Sequence, residues 1–244
     1  LAPVVFRLKS FSDSLQWKPE LGTTILIFDR ETLALVNRAV VEPWFQWHFS
    51  HGRLDCDGKV HIGFVGYDSF STNQYLKEVA SGKIETSAFG TLREGSFDPN
   101  NPEKVEHKTW VNQQCEFPVV NDWANISQQP PPDIYFSAHR PNQTNEPRAK
   151  SDLFGAIAHY QPETDQLTVI DAGEGHYPSE PIVVYDQDNF PQWLLTVVYD
   201  GVNHCSQVWI YNAASSDHLQ DGAIAKLQLP SVIPHSFHGT WSPA

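Results

Sequence analysis

Eleven histidines in a chain with 16 Lys and Arg against 29 Asp and Glu, a formal net charge of −13, make metal binding the first chemical question. Neutral imidazole is the commonest side-chain ligand for transition metals. The densest group is Trp47-His48-Phe49-Ser50-His51. On a strand His48 and His51 point to opposite faces, so they are not expected to share one ion. The spacing of His61, His107, His139, His159, His176, His204 and His218 suits ordinary surface or hydrogen-bonded histidines. Two carboxylates keep unusual company: Glu116 in Cys115-Glu116-Phe117-Pro118-Val119-Val120-Asn121, and Glu180 in Ser179-Glu180-Pro181-Ile182-Val183-Val184. An acid in an apolar run is either a solvated strand end or, if buried, must be paired, and an imidazole N–H is a natural partner. No HExxH, CxxC, GxSxG or glycine-rich phosphate loop occurs. This removes the commonest zinc, serine-hydrolase, NTPase and dinucleotide readings.

The elements that must position these residues are strands. Thr23 to Arg30, Val60 to Asp68, Ile134 to His139, Leu167 to Ala172, Ile182 to Asp186, Trp193 to Asp200 and Gln207 to Ala213 are short and rich in β-branched and aromatic residues. Most end at Asp, Asn or Gly, as hairpin strands do. One helix is expected over Asn73 to Ser81, with Gly82 at its C-cap. Many short antiparallel strands mean a sandwich, a barrel or a propeller. A propeller blade takes ~40–50 residues, so 244 residues would supply roughly half of a large ring. Half a ring leaves two blade faces uncovered and points to a missing partner segment.

Composition narrows the function classes. With 18% charged residues, 12% aromatics and eight Trp, the chain reads as a packed globular protein. Its acidity argues against nucleic acid, which needs clustered positive charge. No apolar run approaches the ~20 residues of a membrane span, and no basic-then-apolar start resembles a secretory signal. Cys56, Cys115 and Cys205 lack paired spacing and read as reduced thiols, which suits a cytoplasmic protein, with or without peripheral contact to a membrane. The sequons at Asn125 and Asn142 are of a kind common by chance. A first residue Leu1 and the lack of any Met read as a processed chain or a fragment.

Phe45 to Gly52 followed by Asp57-Gly58-Lys59 resembles the "FHHxNxxE…DG" segment of the carotenoid cleavage oxygenase family. CEFPVVN at Cys115 to Asn121 is similar to its "EFP" motif, and Ser179-Glu180-Pro181-Ile182 to its "EPxFVP" motif. Trp193 to Asp200 with Ser206 to Ala213 is similar to "DDGxLLxLVYD…SxLxILDA". Leu229 to Trp241, which contains Phe237-His238-Gly239, resembles the closing "LPxxIPxxFHGxW". Gly22 to Arg30 resembles the strand preceding the third-ligand blade. The motifs stand in family order from about residue 15 onward, and CEFPVV gives a likeness to the cyanobacterial apocarotenoid oxygenases.

The resemblance implies an all-β fold, the C-terminal half of a seven-bladed propeller. It implies Fe(II) on the propeller axis, held by four histidines, three of them steadied by glutamates. Carried over, His48 is the third iron ligand and His238 the fourth, while Glu116 and Glu180 are two of the glutamates. Phe117 and Phe237 are candidates to line the substrate cavity, or equally to be blade core. The implied reaction inserts O2 across a double bond of a carotenoid or apocarotenoid and releases two carbonyl products. His51 stands where the family has Asn, and Asp55 where it has its nearby acid. The first two ligand histidines and the first glutamate belong to the family's N-terminal half, so the missing half or a companion chain is the expected partner. A truncated half-propeller with a structural or binding role is the rival reading. A glycan-processing propeller using Glu116 and Glu180 as its carboxylate pair is another.

Overall fold

The computed structural model describes residues 2–120, 131–140, 153–188, 190–234 and 238–242. Of the described residues, 49% are strand and 11% helix. All strand pairings are antiparallel. The all-β class therefore holds. The sequons and Phe237 lie outside the described residues.

Strands β1 (Thr23–Phe28) and β2 (Leu35–Val41) form a two-stranded sheet. The expected strand to Arg30 stops at Phe28 because Asp29 turns the chain: its Oδ1 accepts from the Thr32 N–H at 2.7 Å and the Thr32 hydroxyl at 2.6 Å. Next come β3 (Phe45–Leu54), β4 (Val60–Tyr67), β5 (Thr91–Asp98) and β6 (Asn101–Val111), paired in that order. The helix α3 (Thr72–Ser81) comes after the short N-terminal helices α1 (Ala2–Val5) and α2 (Phe11–Ser14) and ends at Gly82 with φ 72°. A third sheet orders β10 (Gln166–Asp171), β9 (Ala156–Gln161), β8 (Ile134–Ala138) and β7 (Cys115–Val120). A fourth joins β11 (His176–Pro178), β13 (Pro191–Asp200), β14 (Cys205–Asn212) and β15 (Ala223–Gln228), with β12 (Ile182–Tyr185) also on β13. The short α4 (Ser216–Gln220) links β14 to β15.

Two apolar clusters fill the spaces between neighbouring sheets. One packs Val65, Leu92, Cys115, Val120, Ile134 and Phe136. The other packs Ile157, Leu194, Trp209, Tyr211 and Leu219. Covered on both faces, β8 is buried along its whole length, and its side chains read as a continuous run rather than an alternation. The edge strand β6 carries Glu103, Lys104, Glu106 and Lys108, charges that discourage a further strand from adding. Cys56 is exposed, Cys115 buried and Cys205 half-buried, and all three are free thiols.

The edge strands β3, β7 and β12 belong to three different sheets, yet β3 packs on β7 and β7 on β12. The Tyr185 hydroxyl fastens the last two by donating to the Val120 carbonyl at 3.0 Å. This line of inner edges carries His48, Glu116 and Phe117, with Glu180 at its far end.

Candidate metal centre

His48 sits on β3, Glu116 and Phe117 on β7, Glu180 just ahead of β12, and His238 beyond β15. Between Gln46 and His51 the register of β3 against β4 slips twice, which re-aims the side chains of this stretch. His48 turns toward β7, and its Nδ1 donates to Glu116 Oε2 at 2.6 Å. His51 goes elsewhere: it is buried, stacks on Trp110 with ring centres 5.6 Å apart, and bonds Ser50 Oγ at 2.9 Å. Burial, and then the charges of Arg53 and His61, push its pKa down to about 4, so it is a neutral packing residue.

The register of β7 on β8 also breaks between Glu116 and Val119, and within that break Phe117 has φ 57°. This left-handed backbone costs an L-residue roughly 1–2 kcal/mol. Here it aims the Phe117 N–H at Glu116 Oε2, 2.8 Å away, and brings the Phe117 ring to 5.1 Å from that of His48 and 6.3 Å from that of His238. Glu116 is only 6% exposed. Its carboxylate accepts from His48, from the Phe117 N–H and, at 2.6 Å, from the Tyr67 hydroxyl, so the cost of burying it is met by three donors.

The second pair repeats the device. His238 Nδ1 donates to Glu180 Oε1 at 3.1 Å, and the Gly239 N–H to Glu180 Oε2 at 2.8 Å. The residue before Glu180 is tied down as well: the Ser179 carbonyl accepts from the hydroxyls of Ser137 and Thr196, both at 3.0 Å. The His48 and His238 rings lie 4.9 Å apart at 77°. Residues from opposite ends of the chain thus meet, each imidazole with a carboxylate on Nδ1. A cleft of about 620 Å³ opens beside them, lined by His48, Glu180 and His238 together with apolar Val119, Ile182 and Trp241.

Such an arrangement suits a soft-to-borderline divalent metal. A carboxylate on Nδ1 fixes the tautomer, makes Nε2 the ligating atom and raises its basicity. No group of three or more His, Cys, Asp or Glu side chains able to hold a metal occurs among the described residues. The two histidines therefore fit part of a ligand shell. Tyr67 and Ser137 carry no motif; the available signal for Tyr67 is a phenol closing the buried run of β4, since a buried hydroxyl needs a partner.

The fold is an all-β one that brings two carboxylate-backed histidines together, and comparison gives the family. Residues 1–243 match the family described as retinal pigment epithelial membrane protein, RPE65, and the chain belongs to this RPE65/carotenoid oxygenase family. It is 25% identical over 243 residues to apocarotenoid-15,15'-oxygenase of Synechocystis sp., covering 98% of this chain and 47% of that protein. Its fold is similar to cobalt-substituted Synechocystis apocarotenoid oxygenase, with TM-score 0.78, 22% identity, 99% of this chain and 48% of that one. It is similar also to the lignostilbene dioxygenase of Pseudomonas brassicacearum, with TM-score 0.75, 21% identity, 94% of this chain and 48% of that one. The chain spans about half the length of the relatives it matches. No described helix is long and apolar enough to cross a membrane.

Proposed function

We propose that this chain is the C-terminal half of a seven-bladed propeller and supplies half of an iron(II) site that cleaves a carotenoid or apocarotenoid double bond with O2. The observation that carries the reading is the meeting of two imidazoles, each bonded through Nδ1 to its own carboxylate. His48 and His238 hold the metal through Nε2, and Glu116 and Glu180 keep the rings aimed. The remaining ligands come from the half of the relatives' length that this chain does not span. Iron(II) held there would bind O2 and open a path for its reaction with a closed-shell alkene, with no net electron taken from the metal.

The chain's own residues bind and shape. Phe117 packs against the His48 ring, and Val119, Ile182 and Trp241 give the cleft an apolar wall against which a polyene excludes water. The reaction balances without further reactants: one C=C and one O2 become two C=O groups. Membership of the carotenoid oxygenase family and the likeness to an apocarotenoid oxygenase support this substrate class. Neither glutamate suits glycoside hydrolysis, because each is committed to an imidazole and a backbone N–H.

The test is the full-length protein loaded with Fe(II) and given an apocarotenal, with a lignostilbene in parallel. O2 uptake matched to aldehyde release from the apocarotenal, lost in His48→Ala and in His238→Ala, is the expected result. Iron-independent turnover, or full activity in both variants, would overturn the proposal, and cleavage of the stilbene alone would overturn its substrate class.

A further inference from the structure

Tyr67 closes β4 and is 5% exposed. Its ring packs near Phe45, with ring centres 6.2 Å apart, and lies over Gly90, where a Cβ would come within 2.7 Å of Tyr67 Cζ. The missing side chain at Gly90 is therefore what lets the phenol reach Glu116. The O–H donates to Glu116 Oε1 at 2.6 Å, while Oε2 takes the His48 Nδ1–H and the Phe117 N–H. Burial, and then the neighbouring carboxylate, raise the Tyr67 pKa well above its usual value, so the phenol stays a donor.

A carboxylate has a limited amount of charge to share. Each added donor spreads it and weakens the pull on the others, and the pull on the imidazole N–H sets how strongly Nε2 gives to a metal. Removing a donor from a buried oxygen also leaves that oxygen unsatisfied and free to swing toward another partner. We propose that Tyr67 is a positioning residue for the His48 half of the site: it fixes the rotation of the Glu116 carboxylate and moderates the donor strength of His48. The role in metal binding rests on the reading of His48 as a ligand; the effect on the His48–Glu116 bond does not.

Tyr67→Phe removes the hydroxyl and keeps the ring. The first readout is the His48 Nδ1–H proton resonance of the metal-free full-length protein, assigned by its loss in His48→Gln. It is expected to move downfield in Tyr67→Phe as Glu116 turns its freed charge to the imidazole. The second readout uses the Co(II)-loaded protein, in which one of the exchangeable histidine N–H resonances shifts and that of His238 stays. Co(II) is lost roughly 3–10-fold more slowly, because the more basic Nε2 holds it harder, an effect smaller than that of losing a direct carboxylate partner. Gly90→Ala, which keeps the phenol but displaces it, is expected to perturb the same resonance, whereas Tyr211→Phe, at a buried phenol of the other core cluster, leaves it in place. An unmoved His48 resonance in folded Tyr67→Phe overturns the proposal, as does an equal shift at both histidines. Failure of the wild-type protein to take up Co(II), with the His48 resonance still responsive, overturns the iron-site function and leaves the Tyr67–Glu116–His48 linkage standing.

Discussion

Two His–Glu pairs of the same design differ in how firmly each is held. The His48 side chain is 19% exposed and that of Glu116 7%, whereas His238 is 61% exposed beside a Glu180 at 12%. Their hydrogen bonds differ in the same sense, 2.6 Å against 3.1 Å. A charge-assisted bond strengthens as water is excluded, and the first pair has lost more of it. Glu116→Gln should therefore weaken metal retention by about 10–100-fold, and Glu180→Gln should fall at the lower end of that range. Metal-release kinetics in the full-length protein measure both. Equal losses would mean that the exposure of His238 does not reach its bond to Glu180. The amide in Glu116→Gln also presents an N–H₂ either to Tyr67 or to both His48 and the Phe117 N–H, so at least one donor must lose its acceptor.

At the scale of elements, local composition makes some of the architecture legible and hides the rest. TTILIF of β1 and WLLTVVYD within β13 announce themselves by β-branched and aromatic content. β6 does not, because an edge strand with both signs of charge on its open side has the composition of a loop. β3 is equally quiet, since its double register slip breaks the alternation that would reveal a strand. The helix α3 is legible to within a residue, and Gly82 in the left-handed region closes it. The path of the chain after Gly82 is not legible. Glu78, in the last turn of α3, accepts from the N–H groups of Glu85 and Thr86 and from the Thr86 hydroxyl, folding the next stretch back on the helix. Those bonds, led by the Thr86 N–H and joined by one from the Gln74 amide, depress its pKa from 4.5 to about 2. A depressed carboxylate contributes its stability above the unfolded pKa and loses it as pH falls through the folded one. Amide exchange at Glu85 and Thr86 should therefore accelerate as pH falls from about 4.5 to about 2, beyond the intrinsic pH trend. In Glu78→Gln exchange should be fast at neutral pH and lack that step. The same step in the variant would assign the titration to another group.

Over the whole molecule, the site is legible only through distant motifs, because nothing local to His48 signals His238, and it takes the meeting of β3, β7 and β12 together with the Glu180 bonds to His238 and Gly239 to bring them together. That dependence on closure has a consequence for the chain by itself. The described residues offer two imidazoles and no group of three ligands, a weak hold on Fe(II), which sits low in the divalent affinity order. The two-stranded sheet leaves Leu26, Phe28 and Leu35 about half exposed, and β15 leaves Ile224 and Leu227 so. A two-stranded sheet is marginal without further strands or a packing partner, and exposed apolar strands invite association. Expressed as residues 1–244, the chain should elute from a sizing column above its 27.6 kDa and retain well under one Co(II) per chain after desalting. Co-expression with the remaining half of a full-length relative should shift it to a defined complex and raise the bound metal toward one. A monodisperse 27.6 kDa species that holds one tightly bound Co(II), and that cleaves an apocarotenal when loaded with Fe(II) instead, would sink the half-site proposal. It would require further ligands from within these residues, recruited by a rearrangement of the inner strand edges.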